Sequence, residues 1–117
     1  MSMRTLPAVF AALLGLAACA DDTPRPAEAA QARDIDAGQQ LAEARCGGCH
    51  ATDKGEADSP HDQAPPFAQV TARYPAESLA EALAEGIMVG HEDMPEFRFD
   101  EREVNELIAY LKSLETP

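Results

Sequence analysis

The sequence predicts a small all-α domain, from three observations. Val104, Leu107, Ile108, Leu111 and Leu114 recur at helical spacing behind Asp100 and Glu103, which read as a capping box. Leu79, Ala82, Leu83 and Gly86 repeat the i, i+3, i+4, i+7 pattern after Pro75. No stretch alternates convincingly with period two. A chain of 117 residues accommodates one such domain.

Taken in order, the chain opens with an address. Residues 1–18 hold one basic side chain, Arg4, and then an apolar run from Leu6 to Ala18. That run contains Pro7 and is shorter than the ~20 residues a spanning helix needs, so it reads as an export signal. Residues 19–33 are expected to follow as a tether. Within them Ala20 to Arg33 is rich in Pro, Ala and charge, lacks an apolar repeat and is expected to be flexible. Extended, it reaches at most ~45–50 Å, and as a coil about 20 Å.

The domain proper is expected over 34–117. A first helix is predicted from about Asp36 to Cys46, capped by Asp34 or Asp36, with Ile35, Gly38, Leu41 and Arg45 near one face. Gly38 costs a helix ~1 kcal/mol relative to alanine, which a close backbone contact would explain. From Ala51 to Val70 the prolines at 60, 65 and 66 predict a loop without a helix. Pro75 to Gly86 is predicted helical, with Gly86 as its stop. A second loop carries Ile87 to Phe97, and the helix behind Asp100 closes the chain.

Cys46-Gly47-Gly48-Cys49-His50 reads C-x-x-C-H, the pattern for covalent attachment of a c-type haem. Two thiols three apart share one side of a helical turn, where both can reach the vinyl groups of one porphyrin. The adjacent histidine falls beneath the iron and supplies nitrogen. The glycines let the backbone lie close to the macrocycle. A thioredoxin-like dithiol would want a preceding strand, and a zinc knuckle two more nearby ligands. A disulfide would leave His50 unexplained.

Composition agrees. Two tyrosines, four phenylalanines and no tryptophan make a thin core, which a buried cofactor would fill. With 9 basic and 21 acidic residues the net charge is −12, which disfavours nucleic acid or an anionic membrane surface as partner.

The sixth position of the iron is expected to be taken by Met94, whose backbone is fixed by Pro95. Met88 is the nearest competitor, and His61 or His91 would give a bis-histidine site. Phe67, Phe97 and Phe99 are candidate walls of the haem crevice.

Leu16-Ala17-Ala18-Cys19 resembles the lipobox of bacterial lipoproteins. That resemblance implies cleavage before Cys19, a lipid on its sulfur and residence on the periplasmic side of a bacterial membrane. Cleavage removes Arg4 and leaves 8 basic against 21 acidic residues, a net charge of −13 before the haem propionates.

From about Asp34 to Leu114 the chain resembles the class I cytochromes c. The likeness rests on Cys46-x-x-Cys49-His50 with Gly38 upstream, Met94-Pro95 downstream and Leu107-Ile108-Ala109-Tyr110-Leu111 near the end. It implies a small cytochrome c fold, about three helices and loops wrapped around one covalently bound haem. It also implies that Gly38 packs on Tyr110, and that His50 donates its other ring N–H to the carbonyl of Pro65, or alternatively of Pro66. Ala42 stands where the family usually has an aromatic, so a looser helix contact is expected. Where mitochondrial members ring the haem edge with lysines, this domain has only Lys54 and Lys112. A redox partner with a basic or neutral docking face is expected, for a monomeric domain.

The function these expectations describe is single-electron transfer by a membrane-tethered carrier and not an enzyme. The alternatives are a haem-bearing subunit of a larger oxidoreductase complex, and a haem enzyme or sensor with an open sixth site.

Overall fold

In the computed structural model, residues 23–86 and 93–115 are described. Helix α1 runs Pro26–Cys46, starting well ahead of Asp36. Pro26 occupies the first turn, where no amide is needed, and the Arg25 amide donates to the Glu28 carboxylate at 3.0 Å. The Arg25 guanidinium meets the same carboxylate at 2.8 Å and holds its pKa below the usual glutamate value. The intervening Ala, Glu, Gln and Arg residues are strong helix formers, so no further cap is required. Asp34 and Asp36 therefore sit inside the helix, and the residues from Pro26 to Arg33, expected to be a flexible tether, are helical. The signal segment, Cys19 and Ala20 to Asp22 lie outside the described residues.

Helix α2, Phe67–Arg73, corrects the expectation of an unbroken loop to Val70. The prolines stand in front of this helix and not within it, and Pro66 supplies its N-cap. A 3-10 turn, Ala76–Leu79, leads into α3, Ala80–Glu85, where one helix was expected. Gly86 ends α3 in the left-handed region at φ 74°, with its amide on Ala82 O at 3.0 Å. Helix α4, Glu101–Leu114, has the predicted reciprocal cap. Asp100 Oδ1 accepts the Glu103 amide at 2.8 Å, and Glu103 accepts the Asp100 amide at 3.0 Å. Among the described residues the domain is all-helical, with no strand, as expected of a small cytochrome c fold.

Helix α4 is the element on which the others rest: α1, α2, the 3-10 turn and α3 all pack against it. The closest approach is at Gly38. A Cβ there would overlap the carbonyl of Glu106 and lie 2.8 Å from Tyr110 Cβ. Ala42, one turn further on, is fully buried beside Leu107, Tyr110 and Leu111 in the core. The expected looseness at Ala42 is absent, because with backbone touching backbone at Gly38 a methyl group suffices to fill the next turn.

Two side chains tie the periphery to α4. Glu115 Oε1 accepts the Ala76 amide at 2.7 Å, and Lys112 pairs with Glu77. Deeper in, the Tyr110 hydroxyl donates to Thr52 O at 2.8 Å, both residues being buried. Burial, reinforced by Asp53 and Glu43, pushes the Tyr110 phenol up to about 12.

Gly38→Ala should separate α1 from α4 and cost about 3 kcal/mol, the upper end of overpacking penalties, in denaturant unfolding of the holoprotein. Tyr110→Phe should cost about 1–2 kcal/mol by orphaning the Thr52 carbonyl. A phenol raised in the folded state stabilises below its unfolded pKa of 10.0, and that contribution disappears between about pH 10 and 12. The stability difference between wild type and Tyr110→Phe should therefore be constant to pH 9 and shrink across that window.

Candidate functional site

The end of α1 delivers the C-x-x-C-H turn. The Cys49 and His50 amides donate to Cys46 O at 3.0 and 2.9 Å, so the motif continues the helix by one tight turn. Both thiols are free and half-buried. Burial raises the Cys46 thiol to about 11, so before any attachment it stands protonated against the core.

The loop from Ala51 to Pro66 is bound back onto this turn at several points. His61 donates its amide to Cys49 O at 3.1 Å, the Ala51 amide reaches Ser59 Oγ at 3.0 Å, and Phe67 donates its amide to Ala51 O at 2.9 Å. Tyr110 holds the same loop from below through Thr52. The outcome is the position of the Pro65 carbonyl, 2.7 Å from His50 Nδ1. A carbonyl only accepts, so Nδ1 carries the hydrogen and Nε2 is left as the basic nitrogen. Of the two prolines named in the sequence, Pro65 makes this contact, and Pro66 instead caps α2. The Phe67 ring lies against the imidazole, with centroids 5.4 Å apart and tilted by 53°.

The imidazole belongs to the wall of a cavity of about 1060 Å³. Cys46, Phe67, Leu83, Met94, Phe97 and Leu111 also line it, in a predominantly apolar setting. The structure thus brings His50 and Met94, far apart in sequence, onto one cavity. His61 lines it too, while Met88 and His91 lie outside the described residues. Cys49 belongs to the attachment turn but not to the cavity wall. Phe99 is buried behind Phe97, stacked on it at 5.9 Å.

This donor set fits a haem. It combines a histidine whose tautomer makes Nε2 the basic nitrogen, two thiols at the attachment spacing outside any disulfide, a thioether on the same cavity, and apolar walls.

Several contacts on or beside the site carried no sequence signal. Arg45 places its guanidinium 5.6 Å from the centroids of both Phe97 and Phe99. His61 Nε2 lies 3.5 Å from Asp93 Oδ2. Arg73 and Tyr74 reach the cavity from the end of α2. Each contact joins segments with no fixed spacing between them, so neither periodicity nor motif could announce it.

Among known families, the model for cytochrome c matches residues 35–115. Comparison with curated proteins and with solved structures gives no match. The matched span covers more than half of the chain and ends at Glu115, the C-cap of α4. The chain belongs to the cytochrome c family, and with it to the proteins that carry covalently bound haem and transfer electrons.

Phe67→Ala should cost about 3 kcal/mol in denaturant unfolding of the holoprotein, because it empties the space between α2, the core and the His50 ring. Phe97→Ala, on a half-exposed ring, should cost clearly less.

Proposed function

We propose that this cytochrome c is a single-electron carrier with one haem, attached through Cys46 and Cys49 and ligated by His50 and Met94. The observation that carries the proposal is the joint placement of His50 and Met94 on one apolar cavity, with the second nitrogen of His50 already committed to Pro65. Haem bound there supplies a one-electron Fe(III)/Fe(II) couple. The chain's own part is to hold both ligands in place and keep water away.

Each part has a physical reason. The Pro65 carbonyl orients the imidazole and raises the basicity of Nε2. Phe67 blocks rotation of that ring from one side. Met94 offers a soft sulfur, which favours the reduced iron and raises the potential relative to a second histidine. With His50 and Met94 both holding it, the iron of a bound haem would offer no open position to a substrate, which suits a carrier and not a catalyst.

The acidic surface supports a partner with a basic or neutral docking face. Asp58 and Asp62 lie on the cavity wall, and the whole chain carries −12. Such docking is weak, fast and sensitive to salt. Export and a lipid on Cys19, read from the signal segment, would hold this monomeric carrier on the periplasmic side of a bacterial membrane. Among the described residues no helix is long and apolar enough to cross one.

The oxidised protein should show a weak sulfur-to-iron charge-transfer band in the far red. Met94→Ala should abolish it and Met88→Ala should leave it; absence of the band in wild type would remove Met94 from the iron. Mass spectrometry should find one haem covalently bound, and Cys46→Ala/Cys49→Ala should lose it.

A further inference from the structure

We infer that Arg45 and His61 are positioning residues for Met94, holding its segment against the haem-attachment side from both ends. The inference rests on the reading of Met94 as the sixth ligand. From Asp93 to Phe99 the chain has no helix or strand of its own. Its backbone is tied at the far end, where the Phe99 amide donates to Leu83 O at 3.1 Å. A thioether carried on such a segment stays over an iron only if something fixes the segment laterally.

Two contacts do so, one on each side of Met94. One residue before it, Asp93 meets His61 at 3.5 Å. His61 is a secured partner. Its amide is bound to Cys49 O at 3.1 Å, and its Nδ1 accepts the Gln63 amide at 3.2 Å. With Nδ1 accepting, Nε2 carries the hydrogen and faces the Asp93 carboxylate, so the contact operates with a neutral ring. At 3.5 Å between half-exposed groups it is a weak contact.

The other contact is stronger. Three and five residues after Met94, Phe97 and Phe99 stack on one another and share the Arg45 guanidinium, 5.6 Å from each centroid. One cation over two ring faces is a favourable electrostatic arrangement, and arginine's planar head suits it better than lysine's. Arg45 directly precedes Cys46, so the attachment site and the methionine segment meet through adjacent residues.

Imidazole, which competes for the sixth position of ferric His/Met haem, reads the hold on Met94 directly. On the ferric holoprotein, Arg45→Ala and Asp93→Ala should each tighten imidazole binding roughly two- to fivefold. The pair together should give roughly the product, with a weakened charge-transfer band. Arg45→Lys, which keeps the charge and loses the planar stack, should fall between wild type and Arg45→Ala. It also carries the test if Arg45→Ala does not accumulate as holoprotein. Lys112→Ala breaks the exposed pair with Glu77 and touches neither contact of the methionine segment, so it should leave imidazole affinity unchanged whatever it does to unfolding. A wild type with the band, but with imidazole affinity unmoved in the Arg45 and Asp93 variants, would overturn the inference alone. A wild type without the band would overturn the Met94 reading and this inference with it.

Discussion

The contact on which the rest of the structure depends is the crossing of α1 and α4 at Gly38. Only a hydrogen in place of a side chain lets the backbone of α1 lie on the carbonyl of Glu106 and the Cβ of Tyr110. That crossing sets the height at which α1 ends, and therefore where Cys46 and the attachment turn stand. The same Tyr110 then reaches past α1 to the Thr52 carbonyl, just beyond His50. One aromatic residue thus fixes both the helix that delivers the motif and the loop that orients its histidine.

The cavity explains why a chain this size can keep so sparse a core. Of the buried hydrophobic residues, Ala42, Ala51, Ala64 and Ala76 contribute little more than a methyl each, and among the described residues no large side chain is fully buried. Larger residues such as Phe67, Leu111 and the partly buried Leu83 line the cavity on one side and contribute to the core on the other. A haem bound between them would convert two half-covered surfaces into one interior. Folding and cofactor retention would then be coupled by the same apolar area, as for any ligand that binds only the native chain.

How much of this was legible in the sequence follows from the range of each interaction. The α4 cap needs only Asp100 and Glu103, three residues apart, and it was readable in full. So was the attachment turn, complete within five residues. The start of α1 is not marked by an aspartate cap; it rests on Pro26, the Arg25–Glu28 pair and simple alanine propensity, which are weaker local signals. Helix α2 has an ambiguous signature, because prolines break a helix from within and yet, at 65 and 66, stand just ahead of a helix start. The resemblance brought the Pro65 carbonyl within two candidates, and only the folded loop chose between them. Arg45 with Phe97 and Phe99, and His61 with Asp93, had no local signature at all, because each pair meets through the tertiary path of the chain.

The two sides of the site are held by different means, and that difference bears on what an electron carrier must do. On the histidine side the main chain does most of the holding: Cys46, Cys49, Ala51, Pro65 and Phe67 all contribute backbone groups. Backbone hydrogen bonds in a packed loop are cooperative and open only with the surrounding structure. On the methionine side the lateral contacts are side chains, and apart from the buried Phe99 they sit on exposed or half-exposed residues. Side-chain contacts of that kind open locally and cheaply. With the proposed His50/Met94 ligation, an iron that changes its charge without exchanging its ligands would have its nitrogen secured by the fold as a whole, and its sulfur by a few replaceable residues. Variation at Arg45, His61 and Asp93 would then offer a way to tune the sulfur bond, and with it the potential, without disturbing the crossing at Gly38 that keeps α1 and α4 together.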